Sequence, residues 1–269
     1  MTGFLADVVR EVRADVGSES YARGIPERAT GPRASLRSAI ERDRDHGAIL
    51  VEFKRVSPGR SDPVLPARPA EEFLRAMEPA APSGYSCLAT GPRFEGSPRD
   101  VSEIASRTVR PVLFKDFVLG TRQLDAASRS GASAVLLIAR LEAAGLLDRT
   151  LAELSAEAHA RGLEVLLELH RSAELSRVDG VGADVFGVNV RDLDTLTMER
   201  ATALRTIAAA REAGLAPLLG LSGVSGPADA HEFWRAGTDG LLVGTAVARA
   251  SDPAQFLRTL RRSADGRSA

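Results

Sequence analysis

Short apolar runs recur along the chain and alternate with longer stretches in which apolar residues repeat at helical spacing. An apolar run bounded by turn residues is typical of a strand buried on both faces, as in a parallel sheet. The pattern predicts eight strands, over residues 49–53, 85–88, 111–114, 134–138, 164–167, 185–188, 216–219 and 240–243.

Helical spacing fills the segments between these runs. The predicted helices cover residues 69–77, 99–106, 121–130, 142–161, 173–178, 199–213, 226–236 and 252–262. Eight strands alternating with eight helices predict a parallel sheet with helical crossovers, and eight such units close a barrel. We therefore predict an α/β fold, a (β/α)8 TIM barrel, with an open doubly wound sheet as the alternative. Residues 1–269 form one domain in this prediction, with 1–46 as an N-terminal helical extension.

Composition narrows the class of protein. The 269 residues carry a net charge of −1, which gives no electrostatic reason to expect nucleic acid or an acidic membrane as a partner. Cys87 is the single cysteine, so no intrachain disulfide or thiolate cluster is expected, and a small buried role is predicted for it. No apolar stretch reaches the ~18 residues of a spanning helix, and no signal peptide is recognisable. We expect a cytoplasmic protein; the sequence is compatible with a monomer and leaves the oligomeric state open.

Charged and amide side chains stand where the predicted strands end, which is where such barrels carry their active sites. Glu52 and Lys54 are two positions apart and would project to one face of a strand. A salt bridge at a strand end would explain that pair alone, but further strands end in the same way. The candidates are Glu52, Lys54, Lys115, Glu168, Asn189 and Arg191. Clustered lysines and carboxylates shift each other's pKa values and can supply an acid and a base near neutral pH.

Small residues follow the last two strands. Ser222-Gly223 and Gly244-Thr245 are suited to turns in which backbone N–H groups and a helix N-terminus hold an anion. These turns predict a phosphate site beside the charged cluster; the alternative is that the glycines only make tight turns.

Four segments resemble indole-3-glycerol phosphate synthases. They are Val-Glu-Phe-Lys-Arg-Val-Ser-Pro at 51–58, Pro-Val-Leu-Phe-Lys-Asp-Phe at 111–117, Gly-Val-Asn-Val-Arg-Asp-Leu at 187–193 and Leu-Val-Gly-Thr at 242–245. The resemblance implies closure of 1-(2-carboxyphenylamino)-1-deoxyribulose 5-phosphate to an indole, with loss of CO2 and water and without a metal or organic cofactor. The implied partner is this small phosphorylated molecule.

The resemblance also implies roles for the candidate residues. Lys115 is the expected general acid and Glu168 its partner in the dehydration, because ring closure and loss of water both need proton transfer. Lys54 is expected between the phosphate and the substrate carboxylate, with Glu52 and Asn189 orienting the lysines and the substrate hydroxyls. The substrate-binding residues implied are Arg191 for the anthranilate carboxylate and Ser57, Ser222, Gly223, Gly244 and Thr245 for the phosphate.

Three segments depart from the family pattern. Leu221 stands where the family usually has glutamate, and residues 89–92 replace an acidic segment after the second strand. The turn at 59–62 also differs. A divergent paralogue acting on a related phosphorylated substrate, or a silent phosphometabolite-binding barrel, therefore stays open beside the lyase. A phosphoribosylanthranilate isomerase would need a cysteine/aspartate pair, and Cys87 is in the wrong strand for it. His170, two positions after Glu168, is interpreted as capping a loop, with a second titrating group at the rim as the alternative.

Overall fold

Eight parallel strands close into a barrel in chain order, and β1 completes the ring by pairing with β8. The strands are β1 Ala48–Phe53, β2 Gly84–Leu88, β3 Val112–Lys115, β4 Ala134–Ile138, β5 Glu164–Leu169, β6 Val185–Asn189, β7 Leu218–Leu221 and β8 Gly240–Val243. This computed structural model describes residues 3–29, 31–56 and 69–262, so Ser57 and the turn at 59–62 lie outside the described residues. The predicted barrel is confirmed, and the open sheet is wrong.

Helices surround the barrel and precede its first strand. They are α1 Phe4–Gly17, α2 Leu36–Asp43, α3 Ala70–Met77, α4 Pro98–Ala105, α5 Thr121–Arg129, α6 Ala139–Ala143, α7 Leu151–Ala160, α8 Arg200–Glu212, α9 Pro227–Ala236, α10 Thr245–Arg249 and α11 Pro253–Thr259. The single helix predicted over 142–161 is wrong, because the chain leaves α6 through Gly145 at a φ of 66° and α7 starts at a Thr150 capping box. The segment predicted over 173–178 is a 3-10 helix, Ser172–Arg177.

Alternation along each strand divides the side chains between two buried clusters. In β1, Ile49, Val51 and Phe53 pack in the cluster shared with the surrounding helices. Leu50 belongs to the second cluster, which includes residues of most other strands. Glu52 is two positions further on the same face, so the strand period directs its carboxylate into the barrel.

Four strands end later than predicted near the charged cluster: β3 and β6 by one residue, at Lys115 and Asn189, and β5 and β7 by two residues. β5 continues to Leu169, so Glu168 lies within the strand and pairs with Gly187. β7 begins two residues later than predicted, because Pro217 has no N–H to donate, and the N–H of Leu218 donates to Asp239. The strand also ends two residues later than predicted, at Leu221, which is buried inside the barrel.

Both N-terminal helices pack on the barrel. The Glu164 carboxylate at the start of β5 accepts hydrogen bonds from the N–H groups of Leu36 and Arg37 and so fixes the beginning of α2. α1 buries one apolar face and pairs Glu11 with Arg93, which follows β2. The domain limits themselves stay a prediction. In the part of the chain that the structure describes, no helix has the length and apolar character needed to cross a membrane.

Candidate active site

Glu52 joins two lysines from different strands. Its carboxylate is 5 % exposed, with Oε1 2.6 Å from Lys54 Nζ and Oε2 3.4 Å from Lys115 Nζ. Burial alone would raise the pKa of Glu52, but the two ammonium groups outweigh burial and lower that pKa to about 2. The pair predicted at the end of β1 is therefore part of a three-membered ion cluster.

The pKa values of Lys115 and Glu168 are both raised, so both groups are shifted toward their protonated forms. Burial disfavours the charged Lys115, yet the carboxylates of Glu52 and Glu168 raise its pKa above the ordinary value. Glu168 is 1 % exposed, and burial raises its pKa although Lys115 and the amide of Asn189 favour the charged form. The site thus holds an ammonium that can act as an acid and a carboxylate that readily takes up a proton.

A cavity of about 860 Å³ opens beside this cluster at the ends of the last strands. Its described lining includes seven of the predicted site residues: Glu52, Lys54, Arg191, Ser222, Gly223, Gly244 and Thr245. Lys115, Glu168 and Asn189 are absent from that lining. They connect to the cavity through Glu52 and its contact with Lys115. The ten predicted residues that the structure describes are therefore brought together in two adjoining groups.

The turns after β7 and β8 form one wall of the cavity. Gly223 has a φ of 75°, and α10 begins at Thr245 directly after Gly244. A Cβ added at Gly244 would lie 2.8 Å from Glu52 Oε1 and 3.1 Å from Lys54 Nζ, so only glycine lets these side chains approach the backbone. The wall places small residues and a helix N-terminus next to a lysine.

Buried hydrogen bonds hold the segment that carries Lys115. Asp116 is 2 % exposed and accepts hydrogen bonds from Tyr21 Oη at 2.9 Å, Thr90 Oγ1 at 2.7 Å and Gln123 Nε2 at 2.9 Å. Thr90 belongs to the segment that departs from the family pattern. That segment therefore supplies a side chain that anchors the end of β3.

Two expectations need correction or completion. The loop-capping interpretation of His170 is wrong, because neither of its buried ring nitrogens makes a hydrogen bond to a described residue.

Sequence reasoning also missed Arg200 and Arg249, which line the cavity with Met198. Arg200 starts α8 and donates to the Gly223 carbonyl. Its only sequence signal was a basic residue at a predicted helix start, where a solvated charge is equally common.

Comparison with known proteins identifies the family. Residues 5–260 match the family model described as indole-3-glycerol phosphate synthase. The chain belongs to the indole-3-glycerol phosphate synthase family. Members of this family are decarboxylating, ring-closing lyases of tryptophan biosynthesis, so the family prediction made from the strand-end motifs is confirmed.

Sequence similarity to individual relatives extends over most of the chain. The indole-3-glycerol phosphate synthase of Methanopyrus kandleri is 36% identical over 239 residues, 88% of this chain and 91% of that protein. Indole-3-glycerol phosphate synthase 2 of Streptomyces coelicolor is 34% identical over 266 residues, 97% of this chain and 99% of that protein. A solved structure, "Native KDPGal structure", superposes with a TM-score of 0.54 at 17% identity, covering 79% of this chain and 91% of that one. The structural likeness shows the barrel fold alone.

Proposed function

We propose that this chain closes 1-(2-carboxyphenylamino)-1-deoxyribulose 5-phosphate to indole-3-glycerol phosphate, with Lys115 as the acid and Glu168 as the base. The observation that carries the proposal is the placement of Lys115, which contacts Glu52 and interacts electrostatically with the buried Glu168. The Glu52 carboxylate contacts the Lys115 ammonium, and the charges of Lys115 and Glu168 affect each other's pKa. Acid and base therefore act within one buried cluster beside a cavity suited to a phosphorylated molecule.

Each step has a group of suitable protonation state. The aromatic carbon that bears the carboxylate attacks the ribulose carbonyl carbon, and Lys115 protonates the carbonyl oxygen. The C–CO2 bond then breaks, its electron pair returns to the ring, and CO2 leaves. In the dehydration Lys115 donates a second proton to the hydroxyl, water departs, and Glu168 removes a proton from the adjacent ring carbon to give the indole.

Cations and small residues would hold the two ends of the substrate. Lys54 lies next to Gly244 and faces the wall formed by the turns after β7 and β8, where the phosphate binds in this proposal. Arg191 lines the same cavity and would hold the anthranilate carboxylate. Its backbone N–H donates to Asn189 Oδ1 at 3.0 Å, which couples this residue to the amide beside Glu168. We also propose that the protein acts in the cytoplasm, because its family is biosynthetic.

The test is a steady-state assay of CO2 and indole-3-glycerol phosphate formation by wild type and Lys115→Ala. Wild type should turn over, and Lys115→Ala should lose roughly 10²-fold or more in kcat, the usual contribution of a direct acid. The affinity for indole-3-glycerol phosphate provides the control for folding. Tight binding of the substrate without turnover would support the silent barrel instead, and absence of binding would support a paralogue with another substrate. An active Lys115→Ala would refute the assignment of the acid.

A further inference from the structure

His170 lies between Glu168 and a carboxylate that the proposed reaction does not use. Its imidazole is 4 % exposed, with Nε2 3.3 Å from Glu168 Oε1 and Nδ1 3.9 Å from Glu174 Oε2. Within the described ranges both ring nitrogens and Glu168 Oε2 lack hydrogen-bond partners. Buried polar groups are rarely left without partners, and a role in catalysis is one recognised reason for an exception.

Glu174 lies beside His170 and also lines a second cavity. It lies on the 3-10 helix that follows β5, and its Oε2 accepts a hydrogen bond from the His170 N–H at 2.7 Å, which holds the carboxylate beside the imidazole. Glu174 lines a cavity of about 530 Å³ together with Arg140, Asp194 and the first turn of α1. In the described part of the chain this cavity shares no lining residue with the substrate cavity. His170 therefore separates the active-site base from a different space.

The proposed reaction needs an exchange of protons. Two protons convert the carbonyl oxygen first to a hydroxyl and then to water, and one proton returns from the ring carbon. Each turnover therefore takes up one net proton. A substrate bound against Lys54 and Gly244 would stand between the Lys115–Glu168 pair and the solvent at the mouth of the substrate cavity. A second route for protons would let the pair recover without product release.

We propose that His170 relays protons between Glu168 and Glu174, an inference that rests on the proposed function. Outward, the O–H bond of protonated Glu168 breaks as Nε2–H forms, while Nδ1–H breaks and Glu174 takes the proton. Inward, the same bonds form and break in reverse, and the proton reaching Glu168 replaces one that Lys115 has given to the substrate. One pass in each direction returns the imidazole to its starting tautomer, and the one net proton of each turnover reaches Lys115 from solvent through the substrate cavity after the product has left.

The charges around His170 suit a neutral imidazole. Burial lowers the pKa of His170 to about 4, so near neutral pH one ring nitrogen carries a proton and the other can accept one. The charged groups that face it are Glu168 from β5, Glu174 from the 3-10 helix, Arg140 from α6, and Arg171 and Asp192 from the loops after β5 and β6. The carboxylates of Glu174 and Asp192 raise the pKa of His170 and the guanidinium groups lower it, so burial, the largest effect, determines the direction of the shift.

Two variants remove the relay and keep the hydrogen-bonding groups. His170→Gln retains an amide N–H near Glu168, and Glu174→Gln retains a carbonyl that can accept the His170 N–H, but neither side chain passes a proton. Asp194→Asn is the matched control, because Asp194 lines the same cavity without contacting His170. The measurements are CO2 release in a single turnover, steady-state kcat and KM, and the effect of D2O on kcat. Circular dichroism and affinity for indole-3-glycerol phosphate verify folding.

We expect both relay variants to release CO2 normally in the first turnover, since Lys115 begins that turnover protonated. Their steady-state kcat should fall about tenfold with KM unchanged, less than the loss of a direct acid or base, and the D2O effect on kcat should increase. Asp194→Asn should match wild type. Normal kcat in either variant, or slow CO2 release in the first turnover, would overturn the relay while wild type is active. A wild type that releases no CO2 would overturn the proposed function as well.

Discussion

The Glu52 carboxylate lies 3.4 Å from the Lys115 ammonium and raises the pKa of that lysine. Removing the negative charge should therefore make Lys115 easier to deprotonate. In Glu52→Gln we expect the alkaline limb of the kcat profile, where the acid loses its proton, to move to lower pH by about one pH unit or more. The measurement is kcat between roughly pH 8 and pH 12 at saturating substrate, because the wild-type limb is expected above the ordinary lysine pKa of about 10.4.

Glu11→Gln serves as the control for this profile. Glu11 pairs with Arg93 away from the cluster, and its substitution changes the net charge by the same amount. Its alkaline limb should coincide with that of wild type. An unshifted limb in Glu52→Gln would show that Lys115 does not control the alkaline side of the profile.

Gly244 is the position where the backbone approaches the ion pair of Glu52 and Lys54. The Cβ of Gly244→Ala would meet Glu52 Oε1 at 2.8 Å and force the pair to move. We expect kcat/KM to fall by about tenfold to 10²-fold, because small displacements of positioned groups are costly. Gly226→Ala is the control, since a Cβ there meets nothing within 4 Å. Equal kinetics of the two variants would argue against a substrate group beside Gly244.

Leu221 fills the barrel interior beside the cluster. It is 1 % exposed, pairs with Asn189 and Leu242, and its side chain packs on Gly187. Our hypothesis is that this apolar residue lowers turnover or shifts substrate preference. Leu221→Glu should then raise kcat/KM for the family substrate, by up to about 10²-fold, the scale of one polar group in an active site. Leu221→Gln separates charge from shape, and unaltered kcat and KM in Leu221→Glu would disprove the hypothesis.

His170 should make stability depend on pH. Its pKa of about 4 in the folded protein lies below the ordinary value of 6.5, so between these values the unfolded chain binds more protons. Its contribution is complete above pH 6.5 and is lost as the pH falls toward 4, up to about 3 kcal/mol. Urea unfolding at several pH values should show a smaller loss for His170→Gln than for wild type. The exposed His46→Gln should follow wild type, and identical curves for all three proteins would contradict a neutral buried His170.

Local sequence patterns were sufficient for the barrel and for the family. Apolar runs separated by helical stretches predicted eight strands, since burial on both faces demands apolar residues along a parallel strand. The period of two along a strand also placed Glu52 and Lys54 on one face, and the structure joins them at 2.6 Å. These properties depend on residues close together in the chain, and a sequence displays such relationships directly.

Contacts between distant segments were decided only by the tertiary structure. Three contacts depend on how separate strand ends and loops meet. Lys115 forms an ion pair with Glu52, and Arg200 donates to the Gly223 carbonyl. His170 lies between the carboxylates of Glu168 and Glu174. The difference between the predicted and observed ends of β5 has a similar cause. The strand includes Glu168 because the neighbouring strands β4 and β6 supply hydrogen-bond partners as far as that residue. Distances between side chains from different strands follow from closure of the barrel, and no local pattern encodes them.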